Sequence, residues 1–186
     1  NYIFKKFNKK KIFHNKKILI TGNNGFIGFE LSQFFIIFIK ELNIKKIYLT
    51  DIKTKNKIFK SKIFYKNHNI VKEKIEKINS KKIDIIIHAA SIASPVLYRK
   101  KPLETFQSNI NGLNNVLDYA KKNKIFRVLY FSSSEIYGSP PKKEIPTSEK
   151  YYGNVPTIGP RACYDEAKRA CETLCYIYNN KYNVNV

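Results

Sequence analysis

The chain contains no methionine, and it begins at Asn1. A translated chain normally opens on Met, so the 186 residues are expected to be part of a longer protein. Cysteine is scarce: Cys163, Cys171 and Cys175 fall close together, are odd in number and have no histidine nearby. That argues against both a disulfide framework and a zinc site, and favours reduced thiols in the cytoplasm. Arginine is scarcer than the basic balance implies, appearing only at Arg99, Arg127, Arg161 and Arg169. Guanidinium forks suit phosphate and base recognition, and a chain with so few of them is a poor nucleic-acid reader. The opening NYIFKKFNKKKIFHN is basic without the sustained apolar stretch of a secretory signal. The apolar run Phe34 to Ile39 is far too short to span a bilayer.

What is present is a globular composition with a skewed charge. Hydrophobic residues make up 43% and aromatic residues 14%, enough for one domain with a sizeable core. The formal charge is +21, which raises the question of a polyanionic partner. The excess is almost all lysine, and Lys, Ile, Asn, Phe and Tyr are enriched along the whole chain. A solvated lysine-rich surface accounts for this. Neither a nucleic-acid partner nor a membrane is expected. Residues 1–15 read as a basic extension and residues 16–186 as one nucleotide-binding domain, incomplete at its C-terminal end.

Along the chain, strand and helix patterns alternate. KILIT at 17–21 is a short apolar strand, followed by a glycine turn and a helical stretch from about Phe26 to Leu42. KIYLT at 46–50 is a second strand ending at Asp51, and a third is expected around Ile63 to Tyr65. Val71, Ile75 and Ile78 carry a helical period over 71–79. IDIIIHAA at 83–90 and FRVLYFS at 126–132 read as strands buried on both faces. Residues 102–122 form a long helix, 138–160 a Pro- and Gly-rich loop, and about 161–179 a last helix. Tyr182 to Val186 resemble the approach to another strand. This order implies right-handed βαβ units in an α/β, Rossmann-type doubly wound parallel sheet.

TGNNGFIG at 21–28 places Gly22, Gly25 and Gly28 directly between a strand and a helix. Gly22 permits the tight turn, Gly25 lets the backbone approach a pyrophosphate, and Gly28 lets helix and sheet pack closely. The amide groups and positive dipole at that helix end would hold the phosphates. Asp51 ends the following strand at the distance where an acidic residue accepts the ribose hydroxyls. It would repel a 2′-phosphate, so NAD is expected over NADP. Gly-x-x-Gly-x-x-Gly is the spacing of the short-chain dehydrogenase/reductase superfamily, whose extended branch the chain resembles.

Tyr164 and Lys168 in CYDEAKRA stand four residues apart, so a helix puts both on one face. A phenol is a poor base at neutral pH, and an ammonium beside it stabilises the phenolate. In a chain this rich in both residues the pair alone reads as a surface helix pair. FSSSEIYG at 131–138 changes that, because it sets hydroxyls and Glu135 at the C-terminal end of a strand, where ligands of open α/β sheets bind. Cys171 and Cys175 continue the helix face as small apolar residues. His88 reads as structural or cofactor-lining, not catalytic.

GNVPTIGPRACYDEAKR at 153–169 closely resembles the corresponding stretch of UDP-glucuronate decarboxylases, also called UDP-xylose synthases. HAASIASPVLYRKKP at 88–102 is similar to another segment of that family through Ser91, Ala93, Ser94, Pro95 and Tyr98. FSSSEIYG is similar to its Ser-Thr-Ser-Glu-Val-Tyr-Gly. The resemblance runs from Lys17 to the end.

It implies oxidation of the glucuronosyl ring at C4, loss of carbon dioxide from the 4-keto sugar, and reduction to UDP-xylose. The catalytic residues it implies are Ser133, Ser134, Glu135, Tyr164 and Lys168. Cofactor contacts are expected from Asn24, Phe26 and Ile27 beside the glycines, and from Asn69 and Ile70 further on. Others are expected from Ala89, Ala90, Ser91, Asn109 and Ser132. The UDP-sugar is expected to meet Ser94, Pro95, Tyr98, Glu135 and Arg161, and the protein to pair as a homodimer.

Two departures stand out: Ser133 replaces a threonine, and Asn69 stands where an aspartate usually reads the adenine. The C-terminal substrate lobe is expected to be missing. A nucleotide-sugar 4-epimerase or 4,6-dehydratase is the nearest alternative, against which Ser134 replaces the dehydratases' Asp. A basic nucleotide- or nucleic-acid-binding protein without catalysis is the alternative of another class.

Overall fold

The computed structural model describes residues 4, 6, 10–52, 70–72 and 82–186. Their strands are β1 (Lys17–Thr21), β2 (Lys46–Thr50), β3 (Ile70–Lys72), β4 (Ile85–His88) and β5 (Arg127–Tyr130). The helices, in chain order, are α1 (Phe26–Ile37), α2 (Pro95–Lys100), α3 (Pro102–Asn123) and α4 (Ala162–Tyr182). The sheet order is β3-β2-β1-β4-β5, and β1 pairs parallel with both β2 and β4. Parallel neighbours that are distant in sequence require crossover connections, so this is the doubly wound sheet expected from the alternating pattern.

Two compact units divide the chain. The first comprises Asn1–Ala90 with Ile125–Leu129, the second Ser91–Lys124 with Tyr130–Val186. In the first, Ile18, Leu19, Ile20, Ile47, Leu49 and Ile86 are almost fully buried. These are the short apolar runs that read as central strands, and β-branched side chains suit such a pleated, covered surface. In the second, Leu113 and Leu117 of α3 and Ala167 and Cys171 of α4 are wholly buried. They recur at helical spacing, which is what lets the two helices pack face to face.

Several boundaries differ from the sequence expectation. α1 ends at Ile37, not Leu42; the chain continues as turns to Asn43, which takes φ 49°. Ile39 and Leu42 are still drawn into the core, so their burial, and not helix continuation, explains the apolar run. Val71 and Lys72 belong to β3, not to a helix, because pairing with Tyr48 and Leu49 of β2 overrides the local period. The expected third strand at 63–65 and the rest of the helix at 73–79 lie outside the described residues.

β4 is shorter than 83–90 but buried throughout, as expected. β5 is not buried on both faces: Val128 is covered and Tyr130 partly so, while Arg127 and Leu129, on the alternate face, are exposed, Leu129 by 46%. A short helix, α2, was not expected, although Ser94 at its N-cap and Pro95 in its first turn are start signals. Tyr182 closes α4, and residues 183–186 have no regular structure.

Candidate active site

The glycine turn joins β1 to α1 within the first unit. Gly22 has φ +71°, and a Cβ on it would come within 2.6 Å of the Ala90 backbone. Gly28 lies against the Gly22 carbonyl, where a side chain would have no room. Thus helix and turn approach as closely as a dinucleotide site requires.

Gly25 is the N-cap of α1, with no side-chain cap and no acidic residue in the first turn. The amides at that end keep their affinity for an anion. Phe26 and Ile27 beside it are exposed. Asp51, just beyond β2, accepts a hydrogen bond from the Asn24 amide at 2.9 Å and so tethers the turn to the strand that carries the carboxylate. Ala89 and Ala90 follow β4, with the Ala90 amide donating to the Thr21 hydroxyl at 3.4 Å. Uncapped amides, glycine close contacts and a strand-end carboxylate together fit a dinucleotide with free ribose hydroxyls. Asn69 lies outside the described residues, and Ile70 opens β3. His88 is buried, its Nδ1 2.7 Å from the Thr21 hydroxyl, and is a satisfied core residue.

The side chains expected to be reactive lie in the second unit. After β5 the chain turns through Ser132 and Ser133 into a 3₁₀ turn, Ser134–Tyr137. The Ser133 hydroxyl accepts from the Glu135 amide at 3.3 Å and so fixes the start of that turn. Ser132 Oγ is buried without a hydrogen-bond partner among the described residues. Glu135 forms an ion pair with Arg161, which also reaches Asp165 at 3.4 Å. Asp165 and the Tyr98 hydroxyl hold the Arg161 charge against the cost of burial. Glu135, Arg161 and Asp165, with the loop from Pro156 to Pro160, line a cavity of about 300 Å³.

Tyr164 and Lys168 share the buried face of α4, as their spacing requires. Tyr164 stacks parallel on Tyr98, ring centroids 5.3 Å apart. Tyr98, expected to meet substrate, is only 2% exposed. It supports the Tyr164 ring from below. Lys168 Nζ donates to the Phe131 carbonyl at 2.8 Å and lies 5.8 Å from the Tyr164 ring centroid. Burial lowers the pKa of Lys168.

Ser91 donates to Asn109 Oδ1 at 2.7 Å, which joins two of the expected cofactor contacts. Ser94 and Pro95 are exposed at the start of α2. Cys171 is fully buried, whereas Cys175 is only partly covered. Burial pushes the Cys163 and Cys171 thiols up and Cys175 to about 12, so all three stay protonated and are poor nucleophiles.

Sequence reasoning missed Arg169, whose Nη1 donates to the carbonyls of Ile136 and Tyr152 at 2.7 and 2.8 Å. It thereby ties the Glu135 turn and the following loop to α4. Its place beside Lys168 was the one available signal.

The model of the NAD dependent epimerase/dehydratase family matches residues 18–186. UDP-glucuronic acid decarboxylase 1 of Xenopus tropicalis is 37% identical over 92% of this chain and 39% of its own length. UDP-glucuronic acid decarboxylase 6 of Arabidopsis thaliana is 34% identical over 96% of this chain and 51% of its own. The chain thus spans between about two fifths and half the length of these curated relatives. Among solved structures, a UDP-N-acetylglucosamine 4-epimerase from Methanobrevibacter ruminantium M1, in complex with UDP-N-acetylmuramic acid, superposes with TM-score 0.73 at 26% identity. The match covers 92% of this chain and 53% of that one. No helix among the described residues is long and apolar enough to cross a membrane. With the family model matched from β1 to the last residue, on a glycine turn and a Tyr–Lys helix of the matching kind, the chain belongs to the NAD dependent epimerase/dehydratase family.

Proposed function

We propose that the protein containing this chain decarboxylates UDP-glucuronate to UDP-xylose, with residues 16–186 as its nucleotide-binding domain. One observation carries the reading: relatives named UDP-glucuronic acid decarboxylase match nearly the whole chain. The arrangement of Glu135, Arg161, Tyr164 and Lys168 in one unit supports it.

The turn at Gly22–Gly28 and the Asp51 carboxylate would hold NAD, which would supply hydride uptake and return. The chain's own residues handle protons. Tyr164, as a phenolate stabilised by the Lys168 ammonium, takes the proton of the C4 hydroxyl as the C4 ketone forms and becomes a neutral phenol. That ketone lies β to the C5 carboxylate. The C5–carboxylate bond can therefore break with its electron pair drawn toward the C4 oxygen, releasing carbon dioxide. The Ser133 hydroxyl donates to that oxygen and opposes its growing charge. Glu135, oriented by Arg161, is the acid/base carboxylate for the proton added at C5. Ser134 lies beside them on the exposed side of the turn. The working form is a cytoplasmic homodimer.

The test is to express the full natural chain, supply NAD and UDP-glucuronate, and follow products by mass spectrometry. A decarboxylated UDP-pentose is expected, with at least a hundredfold loss of rate in Tyr164→Phe, the scale of a lost general base. Unchanged UDP-glucuronate from a protein that binds NAD would overturn the decarboxylase reading. UDP-glucose would then be the next substrate, as a probe for epimerase chemistry.

A further inference from the structure

Lys168 is only 3% exposed, yet no carboxylate among the described residues pairs with it. An ammonium in such a place tends to lose its proton unless something offsets the loss of water. Among the described residues it donates to the Phe131 carbonyl. The titratable groups around it are Cys171 and Cys175 of its own helix, Tyr164 one turn earlier, and Tyr130 at the end of β5. Of the other elements against α4, α3 sets the neutral Asn109 on Cys171, and the turn at Ser134–Tyr137 carries Glu135, already paired with Arg161. None of these brings a negative charge to the ammonium, since burial keeps the Cys171 and Cys175 thiols protonated.

What does meet it is an aromatic face. Lys168 Nζ stands over the Tyr130 ring, 4.7 Å from its centroid, nearer than the Tyr164 ring. The negative face of an aromatic ring attracts a cation, most strongly where water is excluded, and a hydrocarbon ring costs little to bury. The Tyr130 hydroxyl is itself held neutral by burial, with the neighbouring Cys171 thiol acting in the same direction. Any attraction therefore comes from the ring and not from a phenolate.

We propose that the Tyr130 ring is a positioning surface that holds Lys168 charged and in place beside Tyr164, a role that no motif in the chain assigns. Tyr130 acts through the lysine and takes no part in the chemistry. Only the kinetic arm of the test rests on the proposed decarboxylation.

The direct arm measures Lys168 itself in the full natural chain. Competitive acetylation with acetic anhydride, read at the Lys168 peptide by mass spectrometry across pH, reports the neutral fraction of that one amine. Tyr130→Phe keeps the ring and is expected to titrate like the wild type. Tyr130→Leu removes it and should move the midpoint down by about one pH unit, a roughly tenfold larger neutral fraction at a given pH below the midpoint. Should the leucine variant fail to fold, Tyr130→trifluorophenylalanine preserves shape while emptying the ring face, and the same downward shift is expected. The kinetic arm follows UDP-pentose formation, whose alkaline limb should move with the acetylation midpoint.

Coincident midpoints in all variants would overturn the proposal. Equal shifts in Tyr130→Phe and Tyr130→Leu would also overturn it, placing the effect in the hydroxyl and Cys171. If no variant or wild type turns over UDP-glucuronate while the midpoints separate as expected, the decarboxylase reading fails and the role of Tyr130 stands.

Discussion

A lysine buried as deeply as Lys168 and a phenol buried as deeply as Tyr178 respond to pH in opposite senses, because burial disfavours whichever form carries charge. Burial lowers Lys168 and raises Tyr178 to about 12, the latter with help from Asp118. The Tyr178 hydroxyl donates to Asp118 at 2.6 Å, from α4 to α3. Below the unfolded tyrosine pKa of about 10, folded and unfolded chains both keep the proton and the contribution is complete. Between about 10 and about 12 the unfolded chain ionises first, so stability falls as pH rises. Tyr178→Phe should cost about 1–3 kcal/mol near neutrality, the scale of a hydrogen bond to a charged group. The cost should shrink in that alkaline window. Chemical denaturation of both proteins at pH values on either side of the window measures this, and a constant difference would count against it.

Among the elements, the turn between β1 and α1 and the buried face of α4 hold the residues expected to bind cofactor and to react. Gly28 brings the first turn of α1 against the Gly22 carbonyl, so Gly28→Ala must displace helix from strand. The expected result is at least a tenfold weaker NAD affinity by calorimetry, about 1.4 kcal/mol, with the circular dichroism of the fold retained. An unchanged affinity would show that the phosphates bind elsewhere.

Both features were legible in the sequence, since glycine spacing and a four-residue helical interval are local properties. The length of α1 was not. A run such as FFIIFI promises burial equally well in a helix or in the turns after it, and only packing of Ile39 and Leu42 into the core decides. β5 failed for a similar reason: its apolar run resembles a central strand, while only one of its two faces is covered in the folded chain.

At the scale of the molecule, the charge of +21 is spread over a surface with only 14 acidic residues to oppose it. Like charges this dense oppose the compact state and are screened by salt over about 10 Å at 0.1 M. The midpoint of thermal unfolding should therefore rise by a few degrees between about 50 and about 500 mM sodium chloride. NAD affinity, expected to rest on backbone amides and Asp51, should change far less than RNA binding would over that range. Differential scanning calorimetry and calorimetric NAD titration at both salts test the pair. A flat melting point would mean that the lysines are already solvated apart.

The sequence alone determined the alternation of strand and helix, the turn at Gly22–Gly28, the carboxylate at Asp51, and Tyr164 and Lys168 on one helix face. Each of these follows from spacing within a few residues or from one element's period. It also carried the resemblance to decarboxylases through GPRACYDEAK. The tertiary structure alone decided what surrounds those groups: Tyr98 beneath Tyr164, Arg161 on Glu135, Arg169 tying down two carbonyls, and Tyr130 under Lys168. These partners lie tens of residues apart in the chain, where no local period relates them. Their effect on an ammonium or a phenol depends on how much water packing removes, and that is a property of the folded chain.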